Sequence, residues 1–239
     1  MSDIMQRVAD LKTRAKNRRD LGRYDLAASL LKQAIDIATH EYESSGVHDW
    51  RATVASELAD CWGILGGIER RWALDPASDA AKRAAHLQQS IHAYDEGYRY
   101  ECDPEFGSSN STYNRLNRMI VRLLLHPEWL AEDAESASVN SAETPNVRAE
   151  LETIRVQIAA QGADNLWSAA DQALLNVLLG RQDAESAYAT FERKQPPDFA
   201  YQSAIDGVTP LAALDLPTAT ELRRAEQLLI ASRDRVAPR

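Results

Sequence analysis

Apolar side chains recur along this chain at intervals of three and four residues, the spacing of one face of a helix. Ile4, Val8, Leu11 and Ala15 set the pattern over residues 4–21, and Leu26, Leu30, Ala34 and Ile37 repeat it over 25–43. Only the short break Leu21-Gly22-Arg23-Tyr24-Asp25 separates the two runs, so the helices they predict must be antiparallel neighbours. After Ser44-Ser45-Gly46, a third helix is predicted over 49–73 from Val54, Leu58, Cys61, Leu65, Ile68 and Trp72, and Asp75-Pro76 stops it. Ser78 or Asp79 is placed to cap a fourth helix over 79–101, carrying Ala84, Leu87, Ile91, Tyr94 and Tyr98. Cys102 to Ser109, with Pro104 and Gly107, reads as a loop. Asn110 or Ser111 caps a fifth helix over 111–125, which ends before His126-Pro127. Helical periodicity resumes at about 147–161, 164–179, 182–194 and 217–233, with a short helix placed near 199–206 in the Gly- and Pro-containing segment between the last two. The chain therefore reads as about nine helices with no convincing strand.

Composition agrees with that reading. A hydrophobic share of 44% in 239 residues can build a core and excludes a wholly disordered chain. Aromatics are only 7%, and Ala, Leu, Arg, Gln and Glu, which lose little on entering a helix, are frequent. The expectation is one domain over 1–239, interrupted at 131–146 by AEDAESASVNSAETPN, a flexible acidic loop. Residues 128–152 hold seven acids against one Arg, which is the pattern of a solvated face.

A repeat signature is legible within the helix pairs. Gly22, Tyr24, Ala27, Leu31 and Ala34 resemble the second helix of a tetratricopeptide repeat, where small residues flank a large apolar one. Small side chains two turns apart let neighbouring helices approach, and the large one fills the gap. The spacing recurs at Ser90, Tyr94 and Gly97, before Asp103-Pro104, and more weakly at Leu179-Gly180 with Ala184, Ala187, Tyr188 and Phe191. Leu65-Gly66 resembles the Leu-Gly pair of a first helix, whereas the other first helices match poorly. The resemblance implies an all-α fold, an α-solenoid of degenerate tetratricopeptide-like antiparallel helix pairs. In addition, Ser111-Thr112-Tyr113-Asn114-Arg115-Leu116-Asn117 and Trp167-Ser168-Ala169-Ala170-Asp171 resemble the helical-repeat domain beside the kinase of apoptosis signal-regulating kinases. Bacterial relatives of that domain occur in conflict and signalling systems, and this resemblance implies a scaffold that brings a partner into an assembly.

Charge and chemistry narrow the function classes. A net charge of −9 repels phosphates, so nucleic acid is not the default partner. Arg outnumbers Lys by 22 to 5, as codon bias in a GC-rich bacterium would produce. Cys61 and Cys102 suit a reducing cytosol, and Cys61 within Ala-Asp-Cys-Trp-Gly reads as a buried thiol. No signal peptide and no membrane-length apolar run is present, so a cytoplasmic location is expected. No phosphate-binding loop, nucleophile elbow, Cys-x-x-Cys pair or zincin helix occurs. No catalytic residue, cofactor or metal is therefore expected, and the sequence leaves self-association open.

The expected activity is binding of another protein or peptide by an adaptor or regulatory subunit. A stacked helical array leaves a concave flank lined mainly by first helices. The fifth helix presents Tyr113, Asn114, Asn117, Arg118 and Arg122 at helical spacings. Asn carries donor and acceptor together, and Arg grips carboxylates bidentately, which suits capture of a peptide backbone or carboxylate. The competing reading of the same residues is a polar helix face, or amides that tie adjacent helices. Trp167 and Asp171, one turn apart, are candidates for bordering the groove, while Trp62 and Trp72 read as core. Two rival functions stay open. One is a nucleic-acid-associated regulator using the basic first helix, where Arg7, Lys12, Arg14, Lys16, Arg18, Arg19 and Arg23 outweigh Asp3, Asp10 and Asp20. The other is an effector with a cryptic all-helical site.

Overall fold

The computed structural model describes residues 3–103, 105, 111–131, 146–160 and 165–236. It consists of helices, with no strand among the described residues, in two compact units, Met1–Val121 and Arg122–Arg239. The acidic loop expected at 131–146 lies, but for its two end residues, outside the described residues, as do Pro104, Gly107 and the candidate cap Asn110.

The first unit stacks α1 (Asp3–Asp20), α2 (Tyr24–Ser44), α3 (His48–Leu74), α4 (Ala80–Glu101) and the start of α5 (Tyr113–Leu125). α1 packs against α2, α2 against α3 and α3 against α4, as in a run of antiparallel hairpins. Gly22 ends α1 with φ +69°, a left-handed residue that lets its N–H reach the Arg19 carbonyl at 2.9 Å and turns the chain at once into α2. Gly180 does the same after α8, with φ +66°. Of the two candidate caps for α4, Asp79 takes the role, accepting from the Lys82 N–H at 2.9 Å, while Ser78 donates to the Trp72 carbonyl at 2.6 Å.

The repeat signature falls where neighbouring helices meet. Ala27, Leu31 and Ala34 are fully buried, as are Ser90 and Tyr94. Ser90 donates to the Gly66 carbonyl at 2.7 Å, and the Tyr94 ring lies against Gly66 so closely that a Cβ there would come within 2.9 Å of it. The buried face of α2 differs from the expected one. It runs through Ala27, Ala28, Leu31, Ala34, Ile35 and Ala38, whereas Leu26 is 44% exposed. Close helix approach selects the alanines for the interior, and larger neighbours are displaced to the edge. On α1, Met5 lies inside in place of Ile4, and on α4 the expected core residue Ala84 is exposed.

The second unit holds α6 (Glu128–Ala131), α7 (Val147–Ala160), α8 (Leu166–Leu178), α9 (Ala184–Arg193), α10 (Asp198–Ala212) and α11 (Ala219–Val236). Its third echo of the signature is buried at Ala184, Tyr188 and Phe191. The described residues thus form eleven helices against the nine expected. One addition is the single turn α6. The other is α10, a 15-residue helix where only a short one near 199–206 was expected. Tyr201, Ile205, Val208, Leu211 and Ala212 are buried along it, so its apolar face continues past Gly207 and Pro210. Packing against α11 overrides the local helix-breaking tendency of Pro210.

Candidate functional site

The residues expected on α5 divide into those turned inward and those left at the surface. Asn114 is 1% exposed and sits between two glycines of the neighbouring helices. A Cβ at Gly63 of α3 or at Gly97 of α4 would come within 2.7 Å of its amide. Its Nδ2 donates to the Ala59 carbonyl at 3.2 Å and to Glu101 Oε1 at 2.8 Å. Glu101 also accepts from Ser111 Oγ at 2.9 Å, and its burial pushes the carboxyl up to about 7 despite both donors. Asn114 therefore joins α3, α4 and α5 from within. A cavity of about 240 Å³ lies beside it, lined among others by Ser56, Asp60, Tyr100 and Tyr113.

Arg118 serves a similar end. It pairs with Asp95 of α4 at 2.7 Å and lays its guanidinium 5.2 Å from the centre of the Tyr98 ring. Asn117 accepts from Arg70 of α3 at 2.9 Å and donates to the Tyr113 carbonyl at 2.9 Å. Tyr113 remains 46% exposed, with its ring against Gly63 and edge-on to Tyr94 at 6.3 Å. Arg122 is half-buried and opens the second unit. Trp167 and Asp171 belong to that unit as well. Trp167 is 44% exposed beside Phe199, 64% exposed, with ring centres 6.2 Å apart. Asp171 is half-buried, and that burial pushes its carboxyl up to about 7.

Sequence reasoning missed a second concavity of the first unit. A groove of about 570 Å³ opens between α2 and α4, with α3 beneath it. Ile35, Leu65 and Ala93 give it an apolar floor, and Trp62 closes one side with its ring edge-on to His92 at 6.1 Å. The Trp62 Nε1 is buried and has no hydrogen-bond partner among the described residues. Asp36 and Glu43 of α2 rim the groove without a counter-ion among the described residues, and Lys32 is a cation one turn before Asp36 on the same helix. Deeper in, Glu69 is 3% exposed and bonded to His86 Nδ1 at 2.7 Å; His86 in turn stacks on Trp72 with centres 3.9 Å apart. Trp62 was expected in the core; it packs against the core on one side and lines the groove on the other.

Other chemistry is limited. Burial pushes the Cys61 thiol up to about 12, which removes the thiolate a nucleophile needs. No group of three His, Cys, Asp or Glu side chains among the described residues could hold a metal ion. No described helix is long and apolar enough to cross a membrane. In the basic first helix, Lys12 is bonded to both Glu57 and Asp60 of α3, and Arg19 to Asp20.

A family model described as Tetratricopeptide Repeats-Sensor matches residues 2–122, half of the chain. No curated protein and no solved structure matches it.

Proposed function

The chain belongs to the Tetratricopeptide Repeats-Sensor family, and from that premise we propose that it is a non-catalytic adaptor or regulatory subunit whose first unit captures a partner protein. The observation that carries this reading is the groove floored by Ile35 and Leu65 and walled by Trp62. A half-buried Trp at the edge of an apolar groove is the kind of side chain around which binding energy concentrates. The rim charge selects the partner. Asp36 and Glu43 outweigh Lys32, so a Lys or Arg of the partner fits, its aliphatic stem over Leu65 and its charged head against the carboxylates or the Trp62 face. A second face on α3 and α5, where Tyr113, Asn117 and Arg70 meet, is what remains of the α5 site for a partner to touch.

In the basic first helix, on which the nucleic-acid reading rests, Lys12 is paired with Glu57 and Asp60 and Arg19 with Asp20, so those two cations are engaged within the chain. The narrower reading, a scaffold within a bacterial signalling or conflict assembly, rests on the resemblance of 111–117 and 167–171 to the apoptosis signal-regulating kinase domain. The groove is tested by titrating the protein with blocked peptides carrying two Lys or Arg flanked by Leu, and with the same peptides bearing Glu. Trp62→Ala, and separately the pair Asp36→Lys and Glu43→Lys, are expected to weaken the basic peptides about 30-fold, the loss of roughly 2 kcal/mol typical of an interface anchor. Equal affinity of wild type and Trp62→Ala, or preference for the Glu peptides, refutes the assignment.

A further inference from the structure

Outside the half of the chain that the family covers, the first turns of α8 and α10 bring two aromatic rings together. Asn165 caps α8 by accepting from the Trp167 N–H at 2.9 Å, which places Trp167 in its first turn. Pro197 precedes α10, and Phe199 follows as its second residue. The ring centres are 6.2 Å apart, the planes are tilted by 47°, and both side chains are exposed. Asp171 lies one turn behind Trp167 on the same face of α8, about 6 Å from it as residues four apart on a helix are. Helical side chains lean toward the N-terminus, so that of Asp171 is directed to the turn that carries Trp167. Asp171 is half-buried and makes no hydrogen bond or ion pair among the described residues. It stands past the first turn of α8, where no free helix N–H can reach it. Burial alone acts on its carboxyl, with no contribution from a charged side chain, and the Tyr188 hydroxyl of α9 is the titratable group that feels it. No Lys or Arg among the described residues lies over either ring.

We propose that Trp167, Phe199 and Asp171 form a docking surface of the second unit for a Lys or Arg side chain of a partner protein, its stem laid on the two rings and its charged head against the Asp171 carboxylate. The charges select this occupant. Both ring faces carry negative potential and attract a cation, and the carboxylate attracts the same group. An acidic side chain would bring like charge to Asp171. A purely apolar one would cover the rings but desolvate the carboxylate further without a partner for it. A basic side chain, with an apolar stem and a charged tip, meets both parts at once. The same geometry makes binding depend on pH. Burial raises the Asp171 carboxyl to about 7, so a bound cation must draw off a proton that is partly present in neutral solution. Between pH 6 and pH 8 the ionised fraction rises from about a tenth to about nine-tenths, and the apparent dissociation constant should fall about tenfold.

The surface lies in a different unit from the Trp62 groove, so the two assignments stand or fall separately. The probe is the blocked pentapeptide Ala-Ala-Lys-Ala-Ala, compared with its norleucine counterpart, which keeps the stem and loses the charge, and with its Glu counterpart. It is added to the full chain carrying Asp36→Lys and Glu43→Lys, so that the first groove does not compete. The Trp167 indole N–H signal, identified by its loss in Trp167→Phe, is followed by nuclear magnetic resonance. A saturable shift with the Lys peptide is expected, tightening about tenfold from pH 6 to pH 8. Affinity at pH 8 should fall at least fivefold for the norleucine peptide and for Asp171→Asn, whose circular dichroism should match the parent, and the pH dependence should vanish in that variant. Equal binding of the norleucine or Glu peptide overturns the proposal, as does an affinity that Asp171→Asn or pH leaves unchanged. A mass that rises with protein concentration and falls in Trp167→Ala also overturns it, since a second copy would then cover the rings.

Discussion

Glu101→Gln isolates the one buried carboxyl on which the α3–α4–α5 junction turns. Glu101 is 6% exposed, so solvent screens it little, and its carboxyl titrates near 7 instead of near 4.5. Burial is the cause; the hydrogen bonds from Ser111 and Asn114 act in the opposite direction and are outweighed. Because the folded chain holds this proton more tightly than the unfolded one, the associated stability is fully present below pH 4.5. It is lost as pH rises through 7. At about 1.4 kcal/mol for each unit, the difference between acid and alkaline solution is on the order of 3 kcal/mol. Gln keeps an oxygen for Ser111 Oγ and Asn114 Nδ2 and cannot ionise. Near pH 5 the variant should match the wild type within about 1 kcal/mol, an isosteric change of one hydrogen-bonding group. At pH 8 its urea midpoint should lie higher by about 1–2 M, given slopes of about 1–3 kcal/mol per M for small domains. The assay is urea unfolding at pH 5, 6.5 and 8, with amide exchange of α4 and α5 to localise the change. A wild-type profile with no loss of stability above pH 7, or a variant that is no more stable than wild type at pH 8, refutes the account.

The glycines of α3 and α4 give a sharper packing test. Gly97→Ala drives a Cβ within 2.6 Å of the fully enclosed Asn114 amide and should cost about 1–3 kcal/mol, the range for overpacking; thermal unfolding measures it. Gly67→Ala, one residue from Gly66, meets only the Tyr94 hydroxyl at 3.6 Å, so it should stabilise the same helix by about 0.5–1 kcal/mol; a loss there would contradict the packing. Asp79→Ala removes the cap of α4 and should cost about 1 kcal/mol, read from faster amide exchange in its first turn.

How much of this was legible in the sequence depended on how local the determining interaction is. The Leu-Gly turns after α1 and α8 were readable because a left-handed glycine between two periodic runs specifies a tight link without reference to anything distant. The triads Ala27, Leu31, Ala34 and Ser90, Tyr94, Gly97 were readable for a related reason: close helix contact constrains residue size at fixed intervals. The length of α10 was not, because Pro210 argues locally against a helix that packing against α11 and α8 maintains. The division of α5 into an inward and an outward set was not readable from α5 either. Asn114, Asn117 and Arg118 look equivalent in sequence, and partners on α3 and α4 decide which of them is enclosed.

Those partners leave a trace that could have been used. A glycine in the interior of a helix costs about 0.5–1 kcal/mol relative to alanine, so Gly63, Gly66 and Gly97 require a compensating approach. Two of the three make room for Tyr94 or Asn114, and Gly63 makes room for Asn114 and Tyr113 together. The large polar residues of this chain are thus accommodated where small ones precede them on the neighbouring helix. Trp62 differs in that its ring borders an open groove flanked by carboxylates that lack counter-ions among the described residues. On the function proposed above, the groove beside Trp62 is the surface to test first in the first unit, and α5, where the sequence placed the site, also serves as a joint between α3 and α4 through Asn114.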